Sequence, residues 1–347
     1  MAIKMLRGGQ MSTTAVQREL EVLSRLRHPR LLSLLGLCRD LPSHEGSVAL
    51  VTELMERGSL FHCLHEDNAS AATADAASDS GAWLGATGMT AVRLRCALDV
   101  AEGMRFLHAM QVVHRDLKSA NVLVDGDGRC KIADFGLSAF RDAGATHVTG
   151  LVGTAAWTAP EVLLGEAARP TADMYSFGVV LWELWAGRQP WVELSGGMVQ
   201  IITAVAVQGK RLPLLGAGDN AVKLPASPAE LQSLLARCFG PQEARPTFEE
   251  VCTLLQEQLA AVRRAEDERL REAPDYFLCA IGMSLMRDPV MAADGHSYER
   301  ALIEDWLRQS DRSPKTNLPL ASRTLTPNHA LRSAIDAYAA KHGGFDE

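Results

Sequence analysis

Between Asp173 and Ala186 the chain is apolar nearly all the way round a helical wheel. A helix without a polar face must be surrounded on every side, which only a large domain can do. The stretch therefore predicts a helix at the centre of such a domain. A chain of 347 residues has room for it and for a second, small domain. The densest apolar run, Phe177 to Trp185, is interrupted by Glu183 and is far shorter than a bilayer requires, so no membrane span is expected.

Periodicity places the surrounding elements. Val16, Leu20, Leu23 and Leu26 recur at helical spacing, and His28-Pro29 ends that helix. Val48 to Val51 reads as a strand, and Gly58-Ser59 then turns the chain into a short helix. Leu94, Ala97, Leu98, Ala101, Met104 and Leu107 mark one face of a helix from Val92 to Met110. Val122 to Val124 and Cys130 to Ala133, joined by a turn from Asp125 to Gly128, read as a hairpin. The capping-box pattern from Thr247 to Glu250 opens a helix with Val251, Leu254, Leu255 and Leu259 on one face. Residues 67–90 are small, polar and Ala/Ser-rich, which reads as a flexible insertion, with a weak alanine helix as the alternative. The charged run from Arg263 to Glu272 reads as a solvated helix end or linker, and Pro274 closes it.

Charge and cysteine usage narrow the function classes. A net charge of -7 argues against wholesale wrapping of nucleic acid. The seven cysteines contain no C-x-x-C pair, so neither a zinc cluster nor a redox pair is visible. Scattered single cysteines fit buried packing in a reducing compartment. Residues 1–20 carry Lys4, Arg7, Arg18 and Glu19 without a long apolar core, so no signal peptide is expected and the location is read as cytoplasmic.

The chemistry concentrates in the run from His114 to Asn121, in Asp134-Phe135-Gly136 and in Ala159-Pro160-Glu161. On these motifs the chain resembles the eukaryotic protein kinases over residues 1 to about 260. Lys118, two places after Asp116, is similar to the serine/threonine type. Gly58-Ser-Leu60 and Trp182-Glu183 are similar to the tyrosine-kinase-like branch. The residue types suit the reaction. A hydroxyl attacking phosphorus must be oriented and relieved of its proton, and Asp116 is a matching carboxylate. Lys118 can neutralise charge on the moving phosphoryl group. Asn121 and Asp134 are oxygen donors suited to Mg²⁺.

The resemblance implies further roles. Lys4 matches the lysine that holds the phosphates of ATP, with Glu19 as its ion-pair partner. Thr52 matches the residue at the back of the adenine pocket, followed by a hinge from Glu53 to Met55. Arg245 matches the arginine that pairs with Glu161 and braces the substrate lobe. Ser138 to Thr154 matches the activation loop, in which Thr146 and Thr149 are candidate phosphorylation sites that Arg115 could pair with. The family's glycine-rich loop precedes the lysine, and Lys4 is the fourth residue of this sequence. Two expectations follow: a truncated form of a longer kinase, or a pseudokinase scaffold that recruits substrates.

The C-terminal region holds Met286-Arg-Asp-Pro-Val290, Asp294-Gly-His-Ser-Tyr298, Ala301 to Trp306, Ser313 to Leu320 and Thr326-Pro-Asn-His-Ala-Leu-Arg332. It resembles the plant-type U-box almost end to end, with Ala280 where that family usually has proline. A U-box has the shape of a RING finger without metal. The segment's single cysteine, Cys279, and two histidines, His296 and His329, are too few for two zinc sites, so no zinc is expected. Leu302, Ile303, Trp306 and Leu307 are expected to face inward from the central helix, with Ser297 as its cap. The resemblance implies a ubiquitin-conjugating enzyme, ubiquitin and protein substrates as partners, with Ile281, Trp306 and Pro314 as the enzyme contact.

The expected fold class is α+β. A two-lobed kinase fold at 1–262, with an incomplete N-lobe, a helical C-lobe and the insertion at 67–90, leads through a charged linker at 263–273. A small α+β U-box at 274–342 follows. The implied function is U-box ubiquitin ligation joined to ATP-dependent phosphorylation of serine or threonine.

Overall fold

A computed structural model describes residues 1–6, 26–38, 48–65, 89–135, 154–194, 197–213 and 229–341. The helix expected over Val16 to Leu26 except Leu26 itself, nearly all of the 67–90 insertion and the activation loop before Thr154 lie outside the described residues, as do Glu19, Thr146 and Thr149. The chain divides into two compact units. Residues 1–86 and 92–258 form one, and residues 259–347 with the short stretch 87–91 form the other.

The first unit begins with an antiparallel sheet of β1 (Ala2–Leu6), β2 (Leu34–Cys38) and β3 (Val48–Thr52), in the order β1-β3-β2. Central β3 buries Ala49 and Leu50. Its register sets Leu50 opposite Lys4 and Thr52 opposite Ala2. After the hinge, Gly58 takes a left-handed φ of 71° and the Ser59 hydroxyl caps α1 (Leu60–His65), accepting the His62 N–H at 3.1 Å.

The helical part follows with α2 (Met89–Ala109), the hairpin β4 (Val122–Val124) and β5 (Cys130–Ile132), α3 (Pro160–Leu163) and α4 (Pro170–Ala186). Then come α5 (Gly197–Ile202), α6 (Ala229–Cys238) and α7 (Phe248–Glu272). α2 starts at Met89, inside the stretch read as an insertion. As its composition requires, α4 is buried from Ala172 to Ala186. It approaches α6 so closely at Gly178 that a β-carbon there would meet Cys238 Cβ at 2.7 Å. Pro170 opens α4 at a position where its missing N–H costs nothing, and Gly187 closes it in the left-handed conformation. Two carboxylates, Asp173 and Glu183, are sealed inside this apolar packing.

The Thr247 hydroxyl accepts the Glu250 N–H at 3.3 Å at the start of α7. The helix continues through the charged run to Glu272, so that run is helical, and the boundary between the units falls within it at Gln258 and Leu259.

The second unit has a three-stranded sheet of β6 (Pro289–Met291), β7 (Ser297–Glu299) and β8 (Thr326–Pro327), in the order β7-β6-β8. α8 (Arg300–Gln309) and α9 (His329–Lys341) complete it. Phe277, Cys279, Val290, Tyr298, Ile303 and Ile335 form the centre of its core. Two local expectations are corrected here. Ile303 and Leu307 face inward from α8 and Leu302 packs beside them, but Trp306 is 38% exposed. Ser297 is no cap: it opens β7, and its hydroxyl accepts an N–H from the Asn328 amide at 3.1 Å. α8 starts after Glu299, whose carboxylate instead accepts the N–H groups of Arg287 at 2.6 Å and Asp288 at 3.2 Å.

Candidate functional site

The loop from His114 to Asn121 is held by α4. Asp173, in the first turn of that helix, accepts the backbone N–H of His114 and of Arg115, each at 2.8 Å, and sits 2.8 Å from His108 Nε2. These bonds hold Arg115 at a φ of 65°, a conformation a free chain avoids. At the far end of the loop a tight turn brings Asn121 N–H to the Lys118 carbonyl at 2.9 Å. The Asn121 carbonyl then accepts the Ala133 N–H at 2.8 Å, which sets Asp134 beside the loop.

Asp116, Lys118 and Asn121 converge. Lys118 Nζ lies 3.1 Å from both carboxylate oxygens of Asp116, and it donates to Thr154 Oγ1 at 2.9 Å. Asn121 Nδ2 donates to the Asp116 carbonyl at 2.7 Å and to its carboxylate at 3.1 Å. The amide nitrogen is thereby committed, which turns the oxygen of the same group toward other partners. By residue type, Asn121 and Asp134 are a pair of hard oxygen donors. Among the described residues no cluster of three or more His, Cys, Asp or Glu side chains could hold a metal alone. Magnesium fits such a pair, because it takes few protein ligands and shares the rest of its shell with phosphate oxygens and water.

The hinge residues divide in role. Glu53 directs its carboxylate away from the chain it follows: one oxygen accepts the Ser33 N–H at 2.8 Å and the other takes Lys131 Nζ at 2.6 Å. Burial alone would raise this carboxyl, but the bonds from Lys131 and Ser33 outweigh it and hold the group below its ordinary value. The Glu53 side chain is thus a brace, and its backbone N–H is taken by the Ser33 carbonyl at 3.3 Å. The Thr52 hydroxyl donates to the Glu53 carbonyl at 3.2 Å, and Met55 is buried. Lys4 lies on β1 opposite Leu50.

Two buried carboxylates anchor hydrogen-bond hubs in this unit, and one of them reaches the loop. Arg245 meets Glu161 in a bidentate pair at 2.5 and 2.9 Å. Glu183 accepts from Ser119 Oγ at 2.9 Å and Trp157 Nε1 at 2.6 Å, and it lies 3.1 Å from His65 Nε2. Burial pushes the Glu183 carboxyl up, against the opposing pull of His65, Trp157 and Ser119. Sequence reasoning did not assign site roles to Thr154, Asp173 or Glu183. Two acids inside an otherwise apolar helix are a signal for the latter pair, since a buried carboxylate needs donors.

In the second unit two loops flank one face of α8. A β-carbon at Gly282 would meet Leu302 of α8 at 2.6 Å, so the loop carrying Ile281 lies directly on that helix. On the other side, Trp306 Nε1 donates to the Arg312 carbonyl at 2.7 Å, tying the loop that carries Pro314 to α8. Leu302 and Trp306, four residues apart, share a helix face. Ile281 and Pro314 are half-buried, while their neighbours Met283 and Leu318 are 68% and 66% exposed. The second loop is braced by buried Ser313, whose Oγ accepts the N–H groups of Lys315 at 3.2 Å and Thr316 at 2.9 Å and meets Tyr298 Oη at 3.3 Å. Tyr298 in turn donates to Asp294 at 2.7 Å. Cys279, fully buried, accepts the Glu299 N–H at its sulfur.

Residues 1–255 match the family model described as protein tyrosine and serine/threonine kinase, and residues 273–344 match the U-box domain. The chain belongs to the protein tyrosine and serine/threonine kinase family and carries a U-box after its kinase region. It is 33% identical to U-box domain-containing protein 51 of Arabidopsis thaliana over 98% of this chain and 43% of that protein. It is 34% identical to U-box domain-containing protein 33 of the same plant over 98% of this chain and 39% of that one. The probable serine/threonine-protein kinase SIS8 of Arabidopsis thaliana is 34% identical over 68% of this chain and 20% of its own length. The chain thus spans about two fifths of the length of the U-box proteins it matches.

Proposed function

We propose that the protein phosphorylates serine or threonine hydroxyls with ATP in its first unit and promotes ubiquitin transfer with its second. The observation that carries the phosphorylation reading is the convergence of Lys118, Asn121 and Thr154 on or beside Asp116. Asp116 takes the proton of the acceptor hydroxyl as its oxygen bonds to the γ-phosphorus and the bond to the departing diphosphate oxygen breaks. Lys118 sets its charge against the transferring group, and Thr154 holds the lysine in place. Magnesium supplies charge neutralisation on the phosphates, and Asn121 and Asp134 would hold it. Lys4, Thr52 and the hinge backbone are the proposed nucleotide contacts. The U-box presents Ile281, Trp306 and Pro314 to a ubiquitin-conjugating enzyme. Cysteines outside any disulfide support a reducing, cytoplasmic setting.

The test uses one preparation of the chain and two assays. Asp116→Ala should lower phosphate transfer to a protein acceptor by about 10²–10⁴-fold while ubiquitin chain formation with a conjugating enzyme continues. Ile281→Ala with Pro314→Ala should do the reverse. Ubiquitin chains built at the wild-type rate by the second variant would sink the assigned contact surface. Phosphate transfer that survives Asp116→Ala would sink the catalytic assignment.

A further inference from the structure

Glu183 is wholly buried, on a helix whose other buried positions are apolar apart from Asp173 and Ser176. A carboxylate there costs several kcal/mol of desolvation unless donors surround it. Ser119 in the catalytic loop and Trp157 beyond the activation loop donate to it, and the ring of His65 at the end of α1 lies within hydrogen-bond distance, so three separate segments meet there. Ser119 directly follows Lys118. Trp157 ends the turn that Thr154 begins, and its N–H bonds the Thr154 carbonyl at 3.0 Å, as does the Thr158 hydroxyl. One oxygen of Glu183 therefore fixes the residue beside Lys118, and the other fixes the turn that presents the Thr154 hydroxyl to Lys118.

Asp173 grips the start of the catalytic loop through His114 and Arg115, and Glu183 grips its end through Ser119. The two acids are ten positions apart on α4, roughly 15 Å along a helix axis. Rings close the arrangement from the other side, with Phe61 edge-on to Trp157 at 6.5 Å and to His65 at 4.8 Å between centroids.

We propose that Glu183 is a positioning residue for phosphoryl transfer: by holding Ser119 and Trp157 together it sets the contact of Lys118 with Thr154, and so the place of Lys118 over Asp116. The inference deepens the kinase reading and rests on it for its catalytic consequence. Its geometric consequence stands apart from that reading.

Glu183→Gln keeps the volume but replaces an acceptor with an N–H₂ group, which must face the donor of Trp157 or that of Ser119. The expected result is a fall in kcat for a protein acceptor of about tenfold to a hundredfold, with KM for ATP unchanged within about twofold. Ubiquitin chain formation stays at the wild-type rate. Trp157→Phe, which keeps one ring but loses the N–H donor and part of the buried indole, should give part of the same fall. Adding it to Glu183→Gln should cost nothing further, because the two act as a unit. Backbone hydrogen exchange reads the geometry without any activity. In Glu183→Gln, exchange should quicken over residues 119–121 and 155–158 while the centre of α4 stays protected. Unchanged exchange in those segments overturns the proposal, and so does a kcat within about twofold of wild type. A wild-type chain that transfers no phosphate would sink the kinase reading, leaving the exchange result to decide the positioning role.

Discussion

Among the described residues every buried charged side chain lies in the kinase unit, whereas the U-box unit buries the hydroxyl-bearing side chains of Ser313 and Tyr298 and no charge. The difference follows from size and task. A small domain has too much surface for its volume to shield a charge from water. The larger unit encloses α4 and can keep Asp173, Glu183 and the Glu161–Arg245 pair inside a medium where their interactions are strong. Phosphoryl transfer needs such fixed charges around the reacting groups. A surface that recruits another protein needs only that its loops hold their shape, and the hydrogen bonds that join Ser313, Tyr298 and the half-buried Asp294 are enough.

That contrast can be broken at three points. Arg245→Ala leaves Glu161 buried without its guanidinium, so it should destabilise the kinase unit by about 3–5 kcal/mol in urea denaturation. Ubiquitin chain formation below the transition should persist. A loss of under about 1 kcal/mol would mean that this pair behaves like a surface one. Ser313→Ala should cost the U-box unit about 1–3 kcal/mol, because two backbone N–H groups lose their acceptor. It should also slow ubiquitin transfer and leave phosphate transfer alone.

The smallest effect is in pH, and it has opposite signs in the two units. Burial raises the Asp99 carboxyl to about 6, outweighing the Cys130 N–H and Arg30. Its contribution is therefore fully present below the unfolded value of about 4 and lost as pH rises through 6. In Asp294, burial is outweighed by bonds from Ser313, the His296 N–H and Tyr298, which hold the carboxyl below its ordinary value. Its contribution is present above the unfolded value and lost as pH falls through the folded one. Thermal midpoints measured across this range should show Asp99→Asn flattening the first trend and Asp294→Asn the second. Parallel trends in the two units would contradict the contrast.

How much of this is legible in the sequence depends on separation along the chain. Asp116, Lys118 and Asn121 lie within one short loop, so their convergence follows from spacing. The α4 helix and the β4–β5 hairpin follow from period and turn chemistry. The Glu161–Arg245 pair, 84 residues apart, is legible only through family resemblance. Thr154 lies 36 residues from Lys118, and the partners of Glu183 lie 118, 64 and 26 residues from it. Such contacts are set by packing that no local pattern encodes. Trp306 misleads for a different reason. It continues the apolar stripe of α8 by periodicity, but the buried line runs through Ile303 and Leu307, and Trp306 sits at the stripe's edge with its N–H spent on Arg312.

The seven cysteines, none of them in a disulfide, carry a practical consequence. Six are buried and Cys38 is exposed. Burial pushes the thiols of Cys238 and Cys252 up to about 12 and 11, so few thiolates form at neutral pH and reagents find little to attack. A thiol-reactive label should therefore mark Cys38 in the folded chain and reach the others only as the protein opens. Cys279 alone belongs to the U-box unit, and Cys63, Cys96, Cys130, Cys238 and Cys252 belong to the kinase unit. The molecule thus carries a separate unfolding clock in each half, readable peptide by peptide from a single labelling time course.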